Sequence, residues 1–429
     1  MRRNVFVVGL DDLNLSTLQA LPDVESYAFH QLLTRPELQS GTVSVAELLA
    51  RAFRQLDAFD GTIDAIVGYW DFPVSLLVPV LCRRYGLRSA PLTAVMRCEH
   101  KYWSRLEQRK VVDNVPAFAL LDPAVTRATL PRGLRYPVWV KPVKSASSEG
   151  ASYAADEAQL QTAVARARAT MDRIGPPWEE LLAMVDLPPE VAAAGARACL
   201  VEEAVTGHQF TVEGYSRAGR VRTYGVIDSH RYPDSSSFLR YQYPSVLPER
   251  VRREAAAVTE KVMSAVGLTS STFNVEYFWD PESDRLALLE INTRHSQSHA
   301  MLFRLVDGVP NHACMIDLAL GREPHLPSGE GPYRTAAKWF LRRFSDGVVR
   351  RVPTPAEVAA VERAVTGTTV RPLVAAGDRL SQGGEGEDSY SYVLAEIYTA
   401  GDDEAALTAR YAACVDALRF EIDDVDGGS

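Results

Sequence analysis

Lysine is scarce in this chain. Of 46 basic residues only six are lysine, namely Lys101, Lys110, Lys141, Lys144, Lys261 and Lys338. Four of the six fall between 101 and 144, and so tight a cluster of a rare residue asks for a local reason. Cysteine is sparse too: Cys82, Cys98, Cys199, Cys314 and Cys414 are odd in number, scattered and without a CxxC. That excludes a disulfide framework or a zinc ribbon and points to a reducing compartment. Positive charge is not in excess, since 46 Lys and Arg face 55 Asp and Glu for a formal net charge of −9. A nucleic-acid footprint over the whole chain normally needs the opposite sign. No run approaches the ~18 apolar residues of a membrane span. Val5–Leu10 is too short for a secretory segment and is stopped by Asp11 and Asp12. A cytoplasmic protein without nucleic-acid or membrane partners is expected. What is present is ordinary for a globular protein: 429 residues, 46% apolar and 24% charged, enough for about two to four domains.

The first ninety residues read as alternating strands and helices. Asn4–Leu10 and Ile63–Tyr69 are β-rich, and the apolar stretch Phe72–Tyr85 is closed by Gly86, which suits the left-handed position past a helix. Such alternation predicts a small parallel α/β unit. No GxGxxG follows the first strand, so a dinucleotide fingerprint is absent. From about 97 the texture changes. Tyr136–Lys141 reads as a strand, followed by Pro142 and a loop of small polar residues, Ser145–Ser152. Asp156 is placed to cap a helix, and 175–198, with two Pro-Pro pairs, reads as a linker or insertion. Strands are expected at Cys199–Val205, Phe210–Tyr215 and Val221–Ile227, and a helix over Arg250–Val266 ending at Gly267. A hairpin over 272–292 follows. The domains expected are 1–96, 97–325 and 326–429, the last an α+β segment behind a Pro/Gly-rich bridge.

The hairpin is the most informative feature. With the turn centred on Ser283, Glu276 lies directly opposite Glu290, and Asn292 shares their face because side chains alternate with period two. Facing carboxylates repel and destabilise a sheet. A hard divalent cation reverses that sign, and carboxylates with an amide oxygen are suitable Mg²⁺ ligands. A solvated hairpin face and a cation site both fit the pattern, and a slip of one residue would move one glutamate to the other face. The strand ending in Lys141 is the second feature. Backbone N–H groups of a small-residue loop can cradle an anion, with a lysine adding a point charge. No GxxxxGK[ST] is present, so this is not a Walker A loop, and an ordinary surface loop remains the alternative.

Taken together, His100-Lys101-Tyr102, Val138-Trp-Val-Lys141-Pro142 with its loop, Leu200–Val205, Thr206–Gln209, Asn274-Val-Glu276 and Leu289–Arg294 resemble, in order and spacing, the ATP-grasp superfamily. Those enzymes join a carboxylate to an amine or similar nucleophile through an acyl phosphate. The resemblance covers about 97–325, with weaker likeness to the family's α/β N-terminal domain and to a biotin-carboxylase-like C-terminal segment. It implies an α/β (α+β) ATP-grasp fold, with a central two-lobed module between N-terminal α/β and C-terminal α+β domains. It implies ATP and Mg²⁺ (or Mn²⁺) as cofactors. Lys101 and Lys141 would contact phosphates, with Ser145, Ser147, Ser148 and Gly150 in the loop closing over them. Glu202, Glu203 and Val205 would meet adenine, and Gln209, in place of the family's usual Glu, the ribose. Glu276, Glu290 and Asn292 would hold the metal. Arg294 would face the reacting carboxylate and stabilise developing charge, as a planar guanidinium can.

Biotin carboxylases follow Asn-x-Arg with Gln-Val-Glu-His; here the run is His295-Ser-Gln-Ser-His299, and Ser298 stands where the basic Glu would be. That weighs against carboxylation. His295 and His299 are four apart, but HExxH is missing, which leaves little for zinc. A substrate pocket is one reading of His295, Ser298 and His299, and a buried structural histidine the other. For His230 and Arg231, placed in the loop after the Val221–Ile227 strand, the two readings are a pocket lining and an ordinary surface loop. The expected function is an ATP-dependent carboxylate–amine ligase on small substrates, amino acids foremost, with a homodimer left open. The alternatives are a biotin-carboxylase-like or purine-biosynthetic activity and, from another class, a non-catalytic nucleotide-binding module.

Overall fold

The computed structural model describes residues 2–39, 44–125, 127–145, 150–382 and 391–425, the side chains of 173 and 174 aside. In chain order the strands are β1 (Arg3–Val8), β2 (Tyr27–Leu32), β3 (Ala65–Val67), β4 (Phe118–Leu121), β5 (Val138–Pro142), β6 (Ser152–Ala154) and β7 (Cys199–Glu203). They continue with β8 (His208–Arg217), β9 (Arg220–Arg231), β10 (Phe238–Tyr243), β11 (Ser271–Asp280) and β12 (Arg285–Asn292). The last are β13 (Thr335–Arg343), β14 (Gly347–Arg351), β15 (Thr368–Pro372), β16 (Tyr392–Gly401) and β17 (Glu421–Asp424). The chain divides into two compact units, the first comprising 1–225, 247–297 and 311–326, the second 226–246, 298–310 and 327–429.

Three sheets organise the first unit. The parallel sheet β2-β1-β3 comes first. Val5, Val7 and Val8 of β1 are fully buried and Phe6 nearly so, the continuous apolar run that a parallel strand covered on both faces requires. The antiparallel sheet β4-β7-β5-β6 follows. In β5 the residues alternate, with Val138 and Val140 in the core beside Leu160, Val164, Ala167 and Met171 of the helix Glu157–Leu182. Lys141 is therefore displayed on the opposite face. The third sheet runs β12-β11-β8-β9, with its long strands packed on the helix Glu249–Val266. That helix ends at Gly267 in the left-handed conformation, φ 75°. In the second unit β10, β13, β16 and β15 pair in that order. They cover an apolar core containing Trp339, Ile397, Leu407 and Cys414. A capping box formed by Thr354 and Glu357 starts the helix Pro355–Ala364.

The fold class is the mixed α/β one expected. Three local expectations change. The helix that Asp156 caps through Gln159 N–H runs on through Pro176 and Pro177 to Leu182, where the sequence suggested a linker. Burial of Trp178 and Leu181, both with no exposed surface, outweighs the local cost of two prolines. Strand β2 had no signal, since Tyr-Ala-Phe-His-Gln-Leu lacks β-branched residues; it is held by in-register pairing with β1. His230 and Arg231 lie within β9 rather than in a loop, because β9 pairs with β10 as far as Arg231. No helix among the described residues is long and apolar enough to cross a membrane.

Candidate functional site

The sheet β12-β11-β8 has two unlike faces. Phe210, Val212, Phe273, Val275, Tyr277, Leu288 and Ile291 are buried on one of them. On the other stand Gln209, Thr211 and Glu213 of β8, Asn274 and Glu276 of β11, and Glu290 and Asn292 of β12, aligned by the register of the three strands. A row of polar side chains on the covered side of a sheet is expensive unless each group has a partner, so this face points to function rather than packing.

Glu276 pairs with Glu290 and Asn274 with Asn292. The route to that register differs from the simple one. At the hairpin tip Asp280 pairs with Arg285, and Tyr277 with Leu288, one residue out of step with Glu276–Glu290. An unbroken ladder from that tip would set Glu276 opposite Leu289. A β-bulge between Glu276 and Tyr277 takes up Leu289 as an extra residue, and the carboxylates face each other again. Burial and the Glu290 charge push Glu276 up to about 7. Gln209 Nε2 donates to its Oε2 at 3.0 Å, and Asn292 Nδ2 to its Oε1 at 3.4 Å. Asn292 also donates to Asn274 Oδ1 at 3.0 Å. Burial works against the Glu290 charge as well, but Lys101 more than offsets it and holds the carboxyl below its usual value. Two facing carboxylates and an amide, one acid forced toward neutrality by the other, are a donor set that a hard divalent cation would relieve. No group of three or more His, Cys, Asp or Glu placed to hold a metal occurs among the described residues, so the amide of Asn292 is integral to that fit.

Lys101 opens the helix Lys101–Arg109 and donates to Glu290 Oε1 at 2.8 Å and to the Ser145 carbonyl at 3.2 Å. Its neighbour His100 caps the helix, Nδ1 accepting from Trp103 N–H at 3.3 Å. Burial lowers the His100 pKa to about 4, and a neutral ring is what an accepting nitrogen requires. Lys141 donates to Glu202 Oε2 at 2.7 Å, while Arg105 takes Glu202 Oε1. Burial opposes the Glu202 charge, yet Arg105 and Lys141 bring its pKa down to about 2. Arg105, one helical turn after Lys101, also donates to the carbonyls of Leu288 and Leu289 at 3.1 and 2.7 Å, the backbone of the bulge. Gly150 has φ +72°, and a Cβ there would lie 2.6 Å from Thr170 Oγ1, so the turn at the far end of the small-residue loop requires glycine. Ser147 and Ser148 lie outside the described residues. Glu203 Oε1 accepts from Arg135 N–H at 3.0 Å, and Val205 is half-buried just past β7.

Arg294, two residues beyond Asn292, donates through Nη2 to Asp71 Oδ2 at 2.8 Å. Its Nε is buried with no hydrogen-bond partner among the described residues. Burial disfavours both charges of the pair, and mutual attraction restores them, Arg294 foremost in bringing Asp71 to about 2. His295 is fully buried, Nδ1 lying 3.2 Å from Thr272 Oγ1 and its ring 4.6 Å from that of His312. The remaining substrate candidates belong to the second unit. There Ser298 Oγ accepts from Lys338 at 3.2 Å, His299 meets the Tyr241 ring edge-on at 5.1 Å, and Arg231 lies over the Phe238 ring at 5.8 Å. His230 sits beside Arg231 in β9, opposite Arg240. An open hollow of about 490 Å³ in that unit, lined by Tyr232–Ser236 and Phe344, holds none of the facing acids or lysines. The charge cluster, not that hollow, is the candidate site.

Four charged residues of the cluster carried no individual sequence assignment. Arg105 follows Lys101 by four on one helix, a spacing that places both on one face. Lys144 was visible as part of the lysine cluster; it pairs with buried Glu99, which also accepts from Thr293 Oγ1 at 3.3 Å. Asp71 lies past the carboxyl end of β3, where parallel α/β sheets place ligand-binding groups, but nothing local tied it to Arg294, 223 residues on.

Residues 134–300 match the model of the ATP-grasp domain. Among solved structures the chain is similar to an L-amino acid ligase from Bacillus licheniformis, with TM-score 0.71 and 15% identity over 99% of both chains. It is similar to a phosphoribosylglycinamide synthetase from Anaerococcus prevotii, with TM-score 0.64 and 11% identity over 99% of this chain and 100% of that one. A biotin carboxylase from Campylobacter jejuni, solved as a β,γ-ATP complex, has TM-score 0.66 and 14% identity over 99% and 93%. None of the curated proteins matches the chain. At these identities the likeness establishes the fold.

Proposed function

We propose that the chain, whose residues 134–300 match the ATP-grasp domain and whose fold is shared with an L-amino acid ligase, is an ATP-dependent carboxylate–amine ligase acting on small substrates, amino acids foremost. The observation that carries this reading is the convergence of Lys101, Glu276, Glu290, Asn292 and Arg294 on one polar sheet face. A carboxylate oxygen of the substrate attacks the γ-phosphorus, the bond to ADP breaks, and an acyl phosphate forms. An amine then attacks the acyl carbon, losing a proton as phosphate leaves, and an amide remains.

In this reading Lys101 and Lys141 hold phosphate oxygens under the loop that contains Ser145 and Gly150. Both lysines are carried at present by carboxylates, Glu290 and Glu202, so an arriving polyphosphate exchanges one anion for another. Both oxygens of Glu202 are held by Arg105 and Lys141. Its task is then to position Lys141, and adenine falls to the backbone at Glu203–Val205. Gln209 would serve the ribose, leaving Glu276 as it does so. Glu276, Glu290 and Asn292 would hold Mg²⁺ or Mn²⁺, which supplies neutralisation of the phosphate oxygens. Arg294 orients the carboxylate and stabilises charge developing on it. The domain limits 1–96, 97–325 and 326–429 and a cytoplasmic location belong to the same proposal.

The test is phosphate release across pairs of amino acids and small carboxylates, with the amide identified in parallel. ADP formation that depends on both partners supports the ligase. Dependence on bicarbonate and biotin would replace it by a carboxylase, a reading made harder by Ser298, which offers a hydroxyl bonded to Lys338 where a base is needed. Nucleotide binding without turnover under any pair would leave a binding module.

A further inference from the structure

Among the described residues, Asp71 is the one acid whose side chain hydrogen-bonds Arg294. Three carboxylates act electrostatically on that guanidinium, from Asp71, Glu99 and Glu213. Glu99 is held by Lys144 and Thr293, and Glu213 accepts from Tyr224 OH at 3.2 Å and Ser296 N–H at 3.0 Å. Asp71 has no side-chain hydrogen-bond partner but Arg294 among the described residues. It stands just before the helix Val74–Arg84, where an acid often caps the first turn. Yet that helix has Pro73 as its cap and receives no side-chain hydrogen bond; Asp71 serves it through its carbonyl, accepting from Val74 N–H at 2.8 Å and Ser75 N–H at 3.4 Å. The carboxylate is turned to Arg294 instead. Both side chains keep a window to solvent, with 26% and 17% of their surface exposed.

We propose that the Asp71–Arg294 pair is the receptor for a free α-amino acid as acyl donor, Arg294 taking its carboxylate and Asp71 its α-ammonium. The assignment rests on the ligase reading and names the substrate class for it. The two protein charges satisfy one another until a zwitterion inserts, and afterwards each again faces an opposite charge. Nothing is left bare by the exchange. A carboxylic acid lacking the amino group would take Arg294 but leave Asp71 without a hydrogen-bonded cation, with only the attraction of Lys144 and Lys101 remaining, and loss of a direct charge partner in a partly desolvated site is penalised. The unpartnered Nε of Arg294 supplies a further donor for the incoming carboxylate.

The experiment compares each of several free amino acids with its des-amino analogue, such as alanine with propionate and phenylalanine with 3-phenylpropionate. Binding is measured by calorimetry to the full chain with Mg²⁺ and a non-hydrolysable ATP analogue, and ADP release is measured separately with ATP and an amine. Wild type should favour at least one amino acid over its analogue by about tenfold to a hundredfold, the range of a charge-assisted hydrogen bond. Asp71→Asn should erase that preference by weakening the amino acid alone, with Asp71→Ala following it. Thermal unfolding of both variants establishes that they fold. Equal loss for both members of a pair in folded Asp71→Asn would make Asp71 a structural tie and overturn the proposal. A wild type that binds no amino acid of the panel would overturn it as well. Amino-acid binding with the stated preference but no ADP release with any amine would sink the ligase reading and leave the receptor standing.

Discussion

Replacing Glu202 by glutamine removes one charge from a buried triad and leaves Arg105 and Lys141 without their common anion. Both carboxylate oxygens are engaged, and the residue is 2% exposed. Against burial, Arg105 and Lys141 bring the Glu202 carboxyl down to about 2 from its ordinary 4.5. At ~1.4 kcal/mol per unit this places about 3 kcal/mol of pH-linked stability in the site. Removing one partner of a buried ion pair costs about 3–5 kcal/mol in general. The lower end applies, because Arg105 keeps Gln108 and the Leu288 and Leu289 carbonyls. If the first unit, about 290 residues, melts cooperatively, its unfolding entropy near ~0.6 kcal/mol/K converts that loss into a fall of roughly 5 °C in Tm. The pH dependence follows from the lowered pKa. The contribution is present in full above about pH 4.5, and is lost as pH falls toward 2; by pH 3 about 1.4 kcal/mol of it remains. Thermal unfolding of wild type and Glu202→Gln, followed from about pH 7 to pH 3, should show the gap closing as acid is added. A variant melting within about 1 °C of wild type at neutral pH, or a gap unchanged at pH 3, would refute the reasoning.

Glu290→Gln should leave the fold intact and lower kcat by roughly a hundredfold or more, since it removes a carboxylate whose charge matters most in phosphoryl transfer; wild-type turnover at saturating Mg²⁺ would remove the residue from the metal site. In Arg294→Lys the charge survives but the planar fork does not, so ATP–Mg²⁺ should bind nearly normally while most amide formation is lost. ADP, amide and nucleotide affinity measured together decide that point, and loss of nucleotide affinity with coupling intact would move Arg294 to the nucleotide side. Lys144→Met strands the buried carboxylate of Glu99 and should cost about 3 kcal/mol in urea unfolding; Lys144→Met with Glu99→Leu should recover most of it, and a double variant as unstable as the single would deny the pair its role.

Local pattern disclosed the elements that form the candidate site. The strand before the small-residue loop, the helix ending at Gly267 and the acidic hairpin all lie where periodicity and turn residues put them. The hairpin is instructive because the expected pairing of Glu276 with Glu290 occurs although the turn is centred differently. Alternation specifies which residues share a face, but not an extra residue such as Leu289, whose cost is met by contacts from elsewhere. Arg105 and Asp71 escaped notice for a related reason. Their partners, Glu202 at 97 and Arg294 at 223 residues' separation, become neighbours only through the packing of whole elements. Prolines 176 and 177 misled in the same way, since the burial of Trp178 that keeps their helix continuous is a tertiary property.

The bulge at Leu289 also bears on self-association. Strand β12 ends the order β12-β11-β8-β9, and a terminal strand normally offers its free backbone groups to another chain. Here that border is sealed over its middle. Leu288 N–H donates to the Asn114 carbonyl at 2.7 Å, Asn114 Nδ2 donates to the Leu286 carbonyl at 3.1 Å, and Arg105 occupies the carbonyls of Leu288 and Leu289. A second copy cannot extend the sheet through 286–289 without first evicting a buried arginine from its anion. Strand addition or exchange along 286–289, the common route to fibrous aggregation, is thereby obstructed by the same residue that steadies the strand carrying Glu290 and Asn292.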